Sequence, residues 1–524
     1  MTTAAVLSEP VAAPAVNKWL VAVAVSLGAL LEVIDTSIVN VALPQIQASL
    51  GATLTQVSWV VSSYAVANVI ILPMSAWLGA RFGKKRYFVF CLVGFTVASM
   101  MCGFASTFPM LVIARVLQGL AGGGLLAKAQ AILFETFPRE EQAMAQGFFG
   151  AIVIAGPTIG PTLGGYLVTN VDWRWIFFIN LPVGIAAVFM TLSALPPDTN
   201  VRDRSSVDVF SILLLAVGLG SLQTFLEEGN TEDWFDSGFI VALALTTVIG
   251  LFTFVYRQLH AKNPVVDFRV LRYRSLWAGS LLSIVVGMAL FGALFSIPLF
   301  AQTILGFTSQ QTGFLLLPGA LASAVAMPMA ARVLRRFDPR IVLIAGALTL
   351  VVAIFQLSDL SPQTGEEQLF WPLIIRSFGT VFMFLPLSLA TLGPIPKKDI
   401  SAASGFFSLT RSLGGSIGVA LLTTLLARRQ QFHRTVLLEN LVSGDPHVTE
   451  RLQAFQGVFT GRGFGIADAQ HAALAMLDNT VNVQAMVLSF ADTFWATALL
   501  IAVFLPLVFL LGKGAAGAPP VDAH

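Results

Sequence analysis

Charge is scarce in this sequence. Asp, Glu, Lys and Arg make up 11% of its 524 residues, against about 25% in a typical soluble domain. Hydrophobic residues reach 56% and the mean hydropathy is +0.81, which excludes an ordinary soluble globular protein. Cysteine is nearly absent. Cys91 and Cys102 fall in one predicted helix, about 16 Å apart along its axis, too far for a disulfide, so both read as packing residues. The five histidines, His260, His433, His447, His471 and His524, fall in predicted loops or the tail, which argues against a histidine proton relay inside a membrane. No G-x-x-x-x-G-K-[ST] run occurs and no soluble segment is long enough for a nucleotide-binding fold, which argues against a self-contained ATP-driven pump. Nothing points to an enzyme, a cofactor, a metal centre or a nucleic-acid partner. The first seventeen residues hold no Lys or Arg, and Glu32 and Asp35 interrupt the apolar run that follows. This argues against a cleaved signal peptide and for a first span that stays.

What the chain does have is apolar runs of about 20 residues, the length of a bilayer-crossing helix. Fourteen are expected, at 18–43, 58–79, 87–106, 109–133, 145–168, 175–195, 208–226, 238–257, 276–302, 312–333, 340–357, 370–393, 402–427 and 487–511. The fold class is an all-α polytopic membrane protein. An even number of spans puts both termini on one side, and the positive-inside rule selects the side. With cytoplasmic termini, about two thirds of the 30 Lys and Arg face inward, in groups such as Arg81, Lys84, Lys85 and Arg86, or Lys397 and Lys398. Arg202, Arg204 and Lys513 belong to the same set. Trp173, Trp175 and Trp234 then mark outer boundaries. "LEEGNTEDWFDS" (226–237), with five acids and no base, reads as a solvated outer loop.

An internal repeat divides the chain. "PMSAWLGARF" (73–82) matches "PMAARVLRRF" (328–337), "IAR" ending at Arg115 matches "IIR" ending at Arg376, and "AQGFF" (145–149) matches "ASGFF" (403–407), in one order and at nearly one offset. The matches pair spans 2, 4 and 5 with spans 10, 12 and 13. The implied organisation is 6+2+6: a cytoplasmic tail (1–17), a six-helix half (18–195), two inserted helices (208–257), and a second six-helix half (276–511) with a long outer loop at 428–485, then a tail (512–524). Parallel halves of this kind hold a substrate site near the midplane and rock around it.

Ionisable residues inside spans are functional candidates by default, since an acid at membrane depth costs about 2.5–3.5 kcal/mol on insertion scales. The clear acids are Glu32 and Asp35, with Asp492 near the outer end of span 14. Three residues apart, Glu32 and Asp35 share a helical face. Arg115 and Asp35 lie about 9 and 12 Å from the outer ends of their helices, so a pair between them, direct or through Gln118, is geometrically open. A carboxyl poised between burial and a cation can load and release a proton; a purely structural ion pair is the competing reading. Arg376 and Arg411 are the second-half counterparts, and Arg411 reads equally well as a packing element. In "GPTIGPTLGGYL", Gly156, Gly160, Gly164 and Gly165 remove side chains, and Pro157 and Pro161 remove amide donors. Small residues let membrane helices approach closely, for packing alone or for a sealed, sliding interface. Phe148 and Phe149, with Phe406 and Phe407, fall in the duplicated "GFF" and are expected near the seam between halves.

Taken in order, "LEVIDTSIVNVALP", "RVLQGLAGG", "AGPTIGPTLGGYL", "WRWIFFINLPVG", "SLQTFLEEGNTEDWF", "NPVVDFRVLR" and "TRSLGGSIGVALL" resemble the fourteen-spanner drug:proton antiporters of the major facilitator superfamily, EmrB/QacA type, from about residue 18 to 511. The resemblance implies proton-coupled efflux of amphipathic or hydrophobic compounds across the inner (cytoplasmic) membrane by alternating access. Asp35 would be the main proton coupler, Glu32 would tune it, and Arg115 and Gln118 would be its partners. Glu32, Asp35, Gln118, Arg376, Arg411, Phe148 and Phe406 are candidate substrate contacts, and the span 5 glycines and prolines are the antiporter motif. It also implies contact with membrane lipids, and a periplasmic adaptor with an outer-membrane channel meeting segment 428–485; a partnerless loop there remains open. So do a dedicated exporter or importer of one metabolite or lipid, and a non-transporting scaffold or receptor. Two departures stand out. The family's loop between spans 2 and 3 carries an acid where "AWLGARFGKK" has Ala80, so the gating residues Arg81, Gly83, Lys84 and Lys85 lack their usual partner. Lys128 replaces an apolar residue in span 4, either snorkelling to the surface or facing substrate.

Overall fold

The structure, a computed structural model, describes residues 17–198, 207–441 and 445–512. The expectations for the tails, and for Arg202, Arg204 and Lys513, lie outside these residues. Among the described residues fourteen helices are long and apolar enough to cross a membrane: Lys18–Leu50, Trp59–Phe82, Lys84–Gly103, Phe108–Thr136, Arg139–Asn170, Trp175–Ala194, Val209–Glu228, Gly238–His260, Arg274–Thr303, Ser309–Val333, Pro339–Gln356, Glu366–Leu392, Ile400–Glu439 and Ile466–Leu510. They are spans 1 to 14 in that order, one for each expected segment. Among the described residues there is no strand. Lipid offers no hydrogen bonds, so a spanning chain must satisfy its backbone within helices. The side chains agree: Phe90, Phe189, Phe252 and Leu321 stand exposed on the outer faces, an apolar belt suited to hydrocarbon.

Interruptions follow the sequence. Pro73 marks a 3₁₀ turn, Leu72–Met74, inside span 2. Span 4 breaks at Gly123 and Gly124, between Phe108–Gly122 and Leu125–Thr136. Span 5 stays helical through Pro157 and Pro161. The repeat is visible in local geometry too. Spans 2 and 10 are each approached through a glycine with positive φ, Gly51 at 64° and Gly306 at 68°. Each glycine precedes a capping box, Thr53 with Gln56 and Thr308 with Gln311. This second copy sits at the same offset as the Pro73 and Pro328 match.

Span 5 packs between spans 1 and 10, and span 13 lies against spans 9, 4 and 2. One apolar cluster crosses between the halves, joining Phe149 and Ile154 to Met327, Ala331 and Phe384. Spans 7 and 8 pack on each other, and span 7 wedges against spans 2 and 13. Ser62 Oγ donates to Glu228 at 3.2 Å, Gln223 Nε2 to Ser416 Oγ at 2.7 Å, and Trp234 Nε1 to Thr424 Oγ1 at 3.0 Å. Trp234 sits at φ 52°, a region an aromatic residue rarely enters, so these ties hold a strained turn. The expected solvated loop is corrected here. The span 7 helix continues through Glu228, which is buried, while Glu232, Asp233 and Asp236 are exposed. At the other end of spans 7 and 8, Asp208 caps span 7 and bonds Arg257 through Nε and Nη2, each at 3.1 Å. The Arg257 hydrogen bonds hold its carboxyl below the usual range, at about 2.

Segment 428–485 is also not a loop. Span 13 continues as helix to Glu439, a separate helix covers Pro446–Gly461, and span 14 begins at Ile466. His433, His447 and His471 therefore lie on helices. Polarity misled the reading, because hydropathy reports solvation and not backbone state. Span 13 has 40 residues, about 60 Å of helix against a hydrocarbon core of about 30 Å, so it projects from the bilayer. Asp492 ties the projection together, accepting from Arg429 Nε at 2.5 Å and lying 2.7 Å from His433 Nε2, while Arg434 pairs with Asp478 at 2.7 Å. Asp492→Ala should loosen the two projecting helices. Limited trypsin digestion should then cleave at Arg434 and Arg451 several-fold faster than in the parent, with the rest of the chain intact.

Candidate functional site

Asp35 and Arg115 meet inside the bundle. Arg115 Nη1 lies 2.6 Å from Asp35 Oδ2, and the two side chains are 1% and 0% exposed. Span 4 brings Gln118 one turn beyond Arg115. Its Oε1 accepts from Arg115 Nη1 at 2.7 Å, and its Nε2 donates to Asp35 Oδ1 at 2.8 Å. Asn180 of span 6 donates to the same Oδ1 at 3.3 Å. Arg115 Nε donates to the Val60 carbonyl at 2.8 Å, and its guanidinium lies 4.3 Å from the centroid of the Tyr64 ring. Four helices thus contribute to one charge pair. A buried pair is tolerable only when its remaining donors and acceptors are met in this way.

Glu32 has different neighbours. Asn68 Nδ2 donates to Oε1 at 2.8 Å, and the backbone N–H of Leu126 donates to Oε2 at 2.9 Å. Leu126 opens the lower half of span 4 after the Gly123–Gly124 break. The break gives span 4 a second helix N-terminus, whose free N–H groups and positive dipole end suit a carboxylate. Glu32 has no cation within ion-pair distance among the described residues. The two acids of span 1 are therefore handled separately, one by a guanidinium and the other by neutral donors.

The span 5 glycines lie against this region. A Cβ on Gly156 would come within 2.6 Å of Val33 Cγ1, between the two acids, and one on Gly164 within 2.7 Å of Ile38 Cγ1. Gly160 abuts Ser37 on the same face of span 1. Gly165 faces span 10 instead, at the Gln310 backbone, where Gly313 meets Thr162 in return. The motif therefore lets span 5 approach the carboxylate helix on one side and the other half of the protein on the other. Pro157 and Pro161 are half-buried.

Arg376 and Arg411 are buried without a carboxylate partner among the described residues. Arg411 lies over Phe384 and Phe407, 5.1 and 5.7 Å from their centroids. Its Nη1 and Nη2, and Nε of Arg376, have no hydrogen-bond partner among the described residues. The phenylalanine expectation divides within each pair. Phe148 is turned outward, edge-on to Trp19, and Phe406 packs on Phe268. Phe149 and Phe407 are the buried members, because neighbouring residues of a helix point about 100° apart.

Where Lys and Arg cluster, at the basic end of the bundle, polar contacts close the seam. Lys128 lies against Gly79 and donates to Ser401 Oγ at 2.7 Å. Gln130 Nε2 donates to Ser388 Oγ at 2.9 Å, and Ser404 Oγ to the Ala127 carbonyl at 2.8 Å. Lys128 thus ends at the seam. At the end of span 2, Arg81 lies over the Trp77 ring, and at the start of span 3 Lys84 pairs with Glu135 at 2.5 Å. Gly83, at φ 93°, opens span 3. Lys85 caps the end of span 6, its Nζ 2.6 Å from the Leu192 and Leu195 carbonyls. Asp198 in turn accepts from the N–H groups of Lys85 and Arg86, each at 3.1 Å. Sequence reasoning did not single out Asn68, Asn180, Tyr64, Gln130 or Ser404. The signal was available for the two asparagines, each a lone amide in an apolar run.

A family model described as the Major Facilitator Superfamily matches residues 25–419. The chain belongs to that superfamily. Within it the chain is 32% identical to the multidrug export protein EmrB of Escherichia coli strain K12 over 500 residues, 94% of this chain and 96% of that one. It is 32% identical to the fatty acid resistance protein FarB of Neisseria gonorrhoeae, covering 94% and 95%, and 29% identical to the colistin resistance protein EmrB of Acinetobacter baumannii, covering 96% and 98%. These place it in the EmrB-type multidrug transporter group of the superfamily. The human organic anion transporter MFSD10 shares the fold, with a TM-score of 0.59, 14% identity and coverage of 93% and 99%.

The charge pair makes a sharp statement about stability. Removing one partner of a buried pair costs about 3–5 kcal/mol, because the other charge is stranded. Asp35→Leu should therefore lower the thermal unfolding midpoint strongly. The double variant Asp35→Leu, Arg115→Met should recover most of that loss, as read by thermal unfolding of the purified protein in detergent.

Proposed function

We propose that this protein is a proton-coupled multidrug efflux antiporter of the cytoplasmic membrane, with both termini in the cytoplasm. The observation that carries the reading is the fully buried Asp35–Arg115 pair, held by Gln118 and Asn180 in a chain whose relatives are multidrug export proteins. A proton and Arg115 compete for the Asp35 carboxylate. When the carboxyl is charged, the guanidinium binds it and the four helices close around the pair. When it is protonated, the attraction is lost, and Arg115 keeps its contacts with Tyr64 and the Val60 carbonyl while its hold on span 1 weakens. The two arrangements differ by one proton, which is what a coupled transporter needs to bias a two-state equilibrium. Glu32, held by neutral donors beside the span 4 break, tunes this step and meets cationic substrates.

Arg411, with Phe384 and Phe407, offers a flat cationic and aromatic surface for amphipathic molecules, and Arg376 and Gln118 extend the polar lining. With cytoplasmic termini, the basic end faces the cytoplasm, and Lys128, Gln130 and Ser404 seal that side. The span 5 glycines keep spans 1, 5 and 10 close enough to limit proton leak while the halves move. The helices of segment 428–485 stand on the outer side and serve as the seat for a periplasmic adaptor that leads to an outer-membrane channel.

Asp35→Asn keeps the shape and the hydrogen bonds to Gln118 and Asn180 while removing the titration. Because Arg115 loses its counter-charge, the variant should be less stable than the parent, yet it should still fold and bind drug while losing gradient-driven efflux in everted vesicles. Glu32→Gln should be milder and should weaken efflux of cations more than of neutral drugs. Proton-driven accumulation by Asp35→Asn at normal expression would sink the assignment. Orientation is checked separately with Gln453→Cys on the Pro446–Gly461 helix. An impermeant maleimide should label it in spheroplasts; labelling confined to everted vesicles would reverse the topology.

A further inference from the structure

At the basic end, a cavity of about 430 Å³ lies between span 2, span 4, the turn after span 8 and the start of span 13. Liquid water takes about 30 Å³ per molecule, so the space admits a group of roughly a dozen heavy atoms. Six cations line it: Lys84 and Lys128 from the first half, Lys262 and Arg269 from the turn, Lys397 and Lys398 from the second half. Glu135 and Asp267 are the acids of the lining, and both are engaged. Glu135 pairs with Lys84, and its carbonyl accepts from Lys397 at 2.9 Å. Asp267 caps the turn Phe268–Arg272, accepting from the Arg269 N–H at 3.0 Å. Lys262 and Lys398 have no ion-pair or hydrogen-bond partner among the described residues. Ala80, which carries no charge, is part of the same wall.

The cations come from both sides of a closed seam. Left unbalanced, they repel across it and oppose closure. An anion seated among them reverses the sign and adds charge-assisted hydrogen bonds to both halves at once. We infer that the cavity is a receptor for a phosphate-bearing anion, a phospholipid headgroup or a free phosphate compound, which brings to the seam the negative charge that Ala80 does not supply. A ligand held by both halves binds the seam-closed form and not the parted one. It therefore shifts the equilibrium toward closure by the amount of that difference. Net charge in this pocket, and with it the ease of opening, becomes a property of the surroundings.

The full-length protein, purified without substrate, tests this in two arms. In nanodiscs, phosphatidylglycerol is titrated into phosphatidylcholine. In detergent, pyrophosphate is compared with sodium chloride at matched ionic strength. The readout is the thermal unfolding midpoint. Phosphatidylglycerol or pyrophosphate should raise it saturably, and Lys262→Gln with Lys398→Gln should raise the half-saturating concentration at least tenfold. Ala80→Asp should raise the midpoint without ligand and blunt the response to it. A response to phosphatidylglycerol alone identifies a lipid headgroup, and a response to pyrophosphate identifies a free phosphate compound. Equal effects of pyrophosphate and chloride together with no effect of phosphatidylglycerol, or a response unchanged in the double variant and in Ala80→Asp, would overturn the inference. No transport is measured, so failure here leaves the efflux reading standing.

Discussion

One guanidinium sets the terms for the first half of this protein. Arg115 is only 1% exposed, and a charge so placed must be answered within reach. Asp35 answers it, Gln118 and Asn180 complete the carboxylate, and Val60 and Tyr64 occupy what remains of the arginine. Spans 1, 2, 4 and 6 are thereby fixed relative to one another by polar contacts in a setting where apolar contacts discriminate poorly. Lipid is as apolar as leucine, so helix association in a membrane rests on close packing and hydrogen bonds. The glycines of span 5 supply the close packing on the neighbouring face of span 1.

The two halves repeat a plan without repeating its charge balance. Both have the glycine, the capping box and the proline in their second span, and both have an arginine at the corresponding place in spans 4 and 12. Of these two arginines, Arg115 alone has a carboxylate within ion-pair distance among the described residues. Arg376, with Arg411 beside phenylalanines, leaves donors uncommitted in the other half. The duplicated fold is thus alike in backbone and unlike in charge.

Much of this could be read from the residues. All fourteen spans follow from apolar runs, and the Asp35–Arg115 contact follows from matched depths. What escaped the reading has physical reasons. Segment 428–485 looked like a loop because its helices are polar and lie beyond the hydrocarbon. Glu228 looked solvated because its neighbours in sequence are, although span 2 covers it. Asn68 and Asn180 are small amides whose importance appears only when they face a carboxylate. The polar seam of Lys128, Gln130 and Ser404 joins residues far apart in the chain, and no local pattern announces such a pairing. Within each duplicated Phe pair one ring is buried, Phe149 and Phe407, while Phe148 is turned outward and Phe406 lines the cavity at the basic end, since one position along a helix changes the face.

Span 13 is also a mechanical element. Its unbroken helix starts beside the cavity at the basic end, passes Arg411 and Ser416, and continues to Glu439 beyond the opposite face. A rod about 60 Å long magnifies angle into distance: a tilt of about 5° at its root carries its tip about 5 Å. The Arg429–Asp492–His433 clasp couples span 14 to the same swing. Anything resting on the projecting helices would receive such a tilt as a displacement comparable to one turn of helix.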